Sequence, residues 1–141
     1  MIRLIPFFLW LTLFSTAVGC SSGPKFDYGR LISSGRDGWQ YPERVIEALE
    51  IRPGDRVAEI GAGSGYWLSW LSEAVGPEGR VFLVEVESDL VGRLEKTVAK
   101  RGYTNVEVVL GAYDDPRLPK GEIDLALTCL TYHHIDERVA Y

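Results

Sequence analysis

The chain has 141 residues, 46% of them apolar and 25% charged, which is ordinary material for a single globular domain. Its net charge of -5, with no local basic cluster, argues against a nucleic-acid partner, because gripping a phosphate backbone takes a basic face. The two cysteines, Cys20 and Cys129, lie in unlike surroundings, so no disulfide framework is expected, and Cys129 reads as a small buried hydrophobe.

At the N-terminus, Arg3 precedes an apolar run over residues 4–18, the length of a signal-peptide core and short of the ~20 residues that span a bilayer. Ala17, Val18, Gly19 and Cys20 resemble the cleavage box of bacterial lipoproteins, with small residues before a cysteine. The resemblance implies a signal peptide over 1–19, lipidation of Cys20, and a cell-envelope location on the periplasmic side. An uncleaved anchor with the domain inside is the alternative, since Lys25, Arg30 and Arg36 follow the apolar run. Residues 20–34 mix Gly, Pro, Ser and scattered charges without apolar period and read as a tether, leaving 35–141 for the domain.

In the segment 35–40, two readings compete. Either it crosses over a bound ligand, with Arg36 pairing a carboxylate and Trp39 covering an apolar face, or it is a lead-in loop with Trp39 as a buried anchor. Pro42 suits the first position of a helix whose buried stripe is Val45, Ile46 and Leu49. Pro53, Gly54 and Asp55 turn the chain into an apolar run over 57–60, too short for a helix and read as a buried strand.

That strand runs into Gly61, Gly63 and Gly65, where glycine permits a sharp bend under a bound group. Residues 66–75 place Trp67, Leu68, Trp70, Leu71 and Val75 at helical spacing, so the bend opens a helix whose N-terminus favours an anionic group. After a turn at 76–79, a second strand over 81–85 is apolar until it meets Glu85, 20 residues beyond Gly65. In a parallel sheet ligands bind at the carboxyl ends of strands, so Glu85 and the glycine bend are expected to face one crevice. A carboxylate there suits the vicinal hydroxyls of a ribose.

Ser88 is placed to cap the following helix, which carries Leu90, Val91, Leu94 and Val98 and stops at Gly102. A third strand is read over 106–110, and a fourth over 123–127 continuing to 130. Tyr132, His133 and His134 follow at its end. Adjacent residues of an extended segment point to opposite sides and no further ligand is spaced to join them, so no metal site is expected. Histidine is suited to proton transfer near neutral pH, which makes the pair candidates for positioning or deprotonating an acceptor.

The run Glu59, Ile60, Gly61, Ala62, Gly63, Ser64, Gly65 resembles the first motif, (Asp/Glu)-x-Gly-x-Gly-x-Gly, of class I S-adenosylmethionine-dependent methyltransferases, and the resemblance extends over residues 36–136. It implies an α/β, Rossmann-like fold with a mostly parallel sheet, helices on both faces and strands in the order 3-2-1-4. It also implies S-adenosyl-L-methionine as methyl donor. The methionine end would lie at the Gly61–Gly63–Gly65 loop, with Glu59 facing its amino group and Glu85 its ribose. Near the adenine the family often carries Gly-Asp-Ala, whereas Ala112 stands here in place of the acid. That contact would fall to Asp114 or Asp115, or Tyr113 would pack on the base. Tyr132 and His133 are the candidates for touching an acceptor whose identity cannot be read.

The family fold has seven strands and four are found, so the domain is expected to be truncated after the fourth, leaving that strand as an uncovered edge. Two other functions share the architecture. An NAD(P)-dependent oxidoreductase would normally carry G-x-G-x-x-G, one residue longer than this loop. A membrane-anchored lipoprotein could also retain the fold as a non-enzymatic binding module.

Overall fold

The computed structural model describes residues 35–138 and 141. The signal peptide, Cys20 and the whole of the tether therefore lie outside the described residues. Among the described residues no helix is long and apolar enough to cross a membrane.

Four apolar runs form the strands β1 (Arg56–Ile60), β2 (Arg80–Glu85), β3 (Val106–Leu110) and β4 (Leu125–Thr128). They pair in parallel in the order β3-β2-β1-β4, the order expected, with Ile60 level with Val84 on one side and Thr128 on the other. Such a register brings the carboxyl ends of β2, β1 and β4 to one edge of the sheet. The fourth strand is shorter than the sequence suggested. Leu130 has φ 60, a left-handed conformation that a ladder cannot accommodate, so the chain has left the sheet before it.

The helices are α1 (Asp37–Gln40), α2 (Pro42–Ala48), α3 (Leu68–Val75) and α4 (Ser88–Arg101). Alternation along the strands sends Val57, Val81, Leu83 and Val106 to one face, where they pack with Leu68, Leu71, Val75 and Leu94. Ala58, Ile60, Phe82 and Val84 point the other way, and there the partners are Leu118, Ile123, Ile135 and Tyr141. Helices on both faces were expected. Among the described residues the second face is instead covered by irregular chain, because the β3–β4 connection contains no helix.

Two local readings are corrected. Trp39 is 58% exposed and is not a buried anchor; the buried tryptophan is Trp67, at 1%. Arg36 is the buried residue of that segment, at 6%. Ser88 is the first residue inside α4 rather than its cap, which is Glu87 in an extended conformation. No side chain caps that helix; instead the Glu87 N–H donates backwards, to Glu85 Oε1 at 3.2 Å. Gly102 does close α4 in the left-handed conformation expected of a C-terminal glycine (φ 72, ψ 27).

Leu71 is fully buried at the centre of the larger core. Leu71→Ala is expected to lower unfolding free energy by about 2–5 kcal/mol, seen as a lower urea midpoint at unchanged slope.

Candidate functional site

The bend after β1 is built by hydrogen bonds to the neighbouring strand. The N–H groups of Gly61 and Ala62 both donate to the Val84 carbonyl at 2.9 Å, and Gly65 N–H donates to Ala62 O at 2.8 Å. Gly61, Gly63 and Gly65 all have positive φ, from 56 to 79. Their surroundings differ. A Cβ on Gly61 would overlap the Thr131 side chain and one on Gly65 would press on Leu94, whereas Gly63 meets nothing closer than 4.0 Å. Gly61 therefore lets the chain after β4 lie directly over the bend, and Gly63 keeps the bend open.

Glu85 closes this arrangement. It is 7% exposed, and its Oε2 accepts the Gly63 N–H at 2.8 Å while Oε1 accepts those of Val86 at 2.8 Å and Glu87 at 3.2 Å. One carboxylate thus joins the glycine bend to the exit of β2. A carboxylate has about four acceptor positions, so three donors leave it room for one more.

Between these loops lies a cavity of about 710 Å³, within the range of small-molecule sites. Glu59, Gly61, Gly63, Glu85 and His133 all line it, and so do Arg36 and Tyr113. Gly65, Asp114 and Tyr132 do not. Asp114 is exposed in a turn closed by Ala112 N–H to Asp115 O at 2.7 Å, and its neighbour Tyr113 takes the cavity side. Tyr132 is 58% exposed and lies under the Arg138 guanidinium, 5.3 Å from its ring centre.

The two histidines are not on an extended segment, as the sequence suggested. Tyr132–His134 forms a 3₁₀ turn, which brings the His133 and His134 rings to 3.8 Å and places both on the cavity wall. Cys129 packs against the larger core, as expected of a small hydrophobe, but only in part. It lines the cavity, half-buried, and its Sγ accepts from Gln40 Nε2 at 3.2 Å and from Arg36 at 3.6 Å.

Sequence reasoning left the Arg36 contacts open. Its guanidinium lies 3.9 Å from the centre of the Tyr66 ring, donates to Gln40 Oε1 at 3.3 Å, and faces the cavity. Tyr66 in turn donates to Asp37 at 2.7 Å; burial and then that bond hold its phenol protonated well beyond the usual range. The signal available was a lone Arg beside aromatic residues, which is common on any surface.

Glu59 is 3% exposed, and its Oε2 has no hydrogen-bond partner. Burial pushes its carboxyl well above the ordinary carboxylate range; Arg36 opposes the shift and Glu85 adds to it. A buried carboxyl with an unmatched oxygen facing a cavity is suited to a cationic ligand group. Taken together, Glu59, the open bend at Gly63 and the remaining acceptor position on Glu85 fit a nucleoside that carries an ammonium group.

Comparison with known proteins agrees with this geometry. The family model for protein-L-isoaspartate(D-aspartate) O-methyltransferase matches residues 33–115, more than half of the chain. A protein-L-isoaspartate O-methyltransferase of Ignicoccus hospitalis is 43% identical over 67 residues, 48% of this chain and 32% of that protein. The chain thus matches about a third of the length of such relatives. Among solved structures, a SAM-dependent methyltransferase from Aquifex aeolicus superposes with a TM-score of 0.76 at 28% identity, covering 80% of this chain and 60% of that one. Aeropyrum pernix fibrillarin, solved with natively bound S-adenosyl-L-methionine, gives 0.50 at 29% identity, covering 58% and 36%.

Two outcomes follow from the site. Gly61→Ala and Gly63→Ala share the cost of a positive φ, but only the first overlaps Thr131, so it should be the less stable by about 1–3 kcal/mol in denaturant titrations. The raised Glu59 pKa means that the folded state keeps a proton which the unfolded chain sheds near the ordinary value of 4.5. The contribution of Glu59 to stability is therefore greatest below that value and falls as pH rises towards the folded-state pKa. Glu59→Gln should flatten this slope in melting temperatures recorded from about pH 5 to about pH 8 without ligand.

Proposed function

The chain belongs to the protein-L-isoaspartate(D-aspartate) O-methyltransferase family, and from that premise we propose that it transfers a methyl group to a carboxylate oxygen of L-isoaspartyl residues in proteins. Its cofactor is S-adenosylmethionine, as in the related methyltransferases of the same fold. The observation that carries the reading is the Glu85 carboxylate, which meets the Gly63 N–H at 2.8 Å and so brings the ends of β1 and β2 to one cavity.

In this reading Glu85 offers its remaining acceptor position to the ribose, and Glu59 takes the amino group of the methionine end. Tyr113 and the apolar side chains of Val84, Val86 and Leu90 line the cavity wall and are suited to the base. The cofactor supplies a methyl group already activated by a sulfonium charge. The protein's residues then have to bind, orient and exclude water; holding reactants in line can remove ~7–11 kcal/mol from a barrier.

The acceptor chemistry suits such a site. A carboxylate is already an anion at neutral pH, so no side chain need take its proton. His133 and His134, on the wall formed by the turn after β4, would position the acceptor rather than activate it. Isoaspartyl substrate is favoured by the family model and by the names of the relatives, which match over 67 residues.

S-adenosylhomocysteine titrated into the protein should give a saturable heat, and Glu85→Ala should weaken it roughly 10–100-fold, the value of a hydrogen bond to a charged group. Heat from NAD(H) with none from S-adenosylhomocysteine would instead support an oxidoreductase. With a methyl-labelled donor, a peptide containing isoaspartate should gain label in base-labile form while its aspartyl counterpart does not. Equal labelling of both, or of neither, would overturn the acceptor assignment.

A further inference from the structure

Glu59 and its neighbours point to a property that neither the fold nor the family match specifies. Its carboxyl lies at the penultimate position of β1, on the face shared with Val57, and is 97% removed from solvent, with Oε2 unpartnered and the cavity as its open side. The charged groups around it come from several elements. Arg36, ahead of α1, is positive and attracts its anion; Glu85, at the end of β2, is negative and repels it. Cys129, His133 and His134 line the same cavity from beyond β4. Asp37 and Tyr66 are bonded to each other.

We propose that Glu59 holds a proton in the ligand-free protein and releases it to solvent when a ligand bearing an ammonium group enters the cavity. The inference rests on the cofactor reading above. Burial with Oε2 unpartnered disfavours the ionised carboxylate; Arg36 opposes this and Glu85 adds to it, and in the ligand-free protein the neutral form prevails. An ammonium group beside Oε2 reverses the balance. The attraction of opposite charges in a water-poor cavity is far stronger than in solution, and only the ionised form can use it. Charge is conserved: the O–H bond of Glu59 breaks, its electron pair stays on the carboxylate, and buffer takes the proton.

Glu59 is thereby a specificity device. A nucleoside that lacks the amino-acid end gains nothing from the exchange, whereas one that carries it is bound more tightly as pH rises. Linkage requires its affinity to increase by up to about tenfold per pH unit within the window between the liganded and ligand-free titrations of Glu59. Product and donor, which share the ammonium, would be selected together over fragments of the cofactor.

The test is calorimetry on the full chain near neutral pH, in phosphate and in Tris, whose ionisation enthalpies differ. S-adenosylhomocysteine and 5′-deoxy-5′-methylthioadenosine, which lacks the amino-acid end, serve as the two probes. The first should bind with a buffer-dependent enthalpy corresponding to release of up to about one proton, and the second with none. Glu59→Gln should abolish the release. Should that variant fail to fold, the wild-type ratio of the two affinities from about pH 5 to about pH 8 still decides, because only the first ligand should gain with pH. Binding of S-adenosylhomocysteine without proton release, or release that persists in Glu59→Gln, would overturn the inference alone. No binding of either nucleoside would overturn the cofactor reading and this inference with it.

Discussion

The contact between the Glu85 carboxylate and the Gly63 N–H is the constraint on which the site depends. It is available only because β1 and β2 are parallel and level, with Ile60 beside Val84, so that both strands leave the sheet at the same height. The Val84 carbonyl then takes the two N–H groups at the start of the bend, and the next side chain along β2 takes the third donor at its crest. Burial makes this carboxylate effective, since hydrogen bonds to a charged acceptor strengthen where water is scarce. The same group holds the start of the loop after β2 through Val86 and Glu87. A single side chain therefore sets the spacing between the two loops that bound the cavity.

A second layer of the site is electrostatic. Arg36, Glu59 and Glu85 are all more than nine-tenths buried, and all line one cavity. A cavity with both signs of charge along its wall suits a ligand that is itself zwitterionic. Arg36 is held by its stack on Tyr66 and its contacts with Gln40 and Cys129, so the short helix α1 serves to fix a charge rather than to cover a core. Thr131, lying over Gly61, closes the same region from the chain after β4. The three elements that reach the bend thus come from the chain before β1, from β2 and from beyond β4.

Much of this was legible in the sequence because it is local. Strands buried on both sides read as uninterrupted apolar runs, glycines at alternate positions mark a bend, and an acid ending an apolar run marks the rim of a parallel sheet. What escaped was set by tertiary contact. Pro116, Pro119 and Gly121 mark the β3–β4 connection as irregular, but nothing in its residues reveals that it covers a sheet face. Arg36 rather than Trp39 is the buried residue of its segment because Tyr66, 30 positions from Arg36, offers the guanidinium a ring. The histidines turn together rather than apart because the chain leaves β4 through a left-handed residue, Leu130, and then tightens into a 3₁₀ turn. Asp114 faces solvent while Tyr113 reaches the cavity, a choice made by the Ala112–Asp115 turn and invisible to composition.

The central claim is that a glycine bend and the acid one crossover later enclose one nucleoside. A crystal structure of the protein with S-adenosylhomocysteine tests it most directly. The account predicts the ribose within hydrogen-bond distance of Glu85 and the amino group within the same distance of Glu59, with the Gly63 N–H still directed at this corner of the cavity. A nucleoside bound elsewhere, or seated in the cavity with both carboxylates turned away from it, would contradict the account.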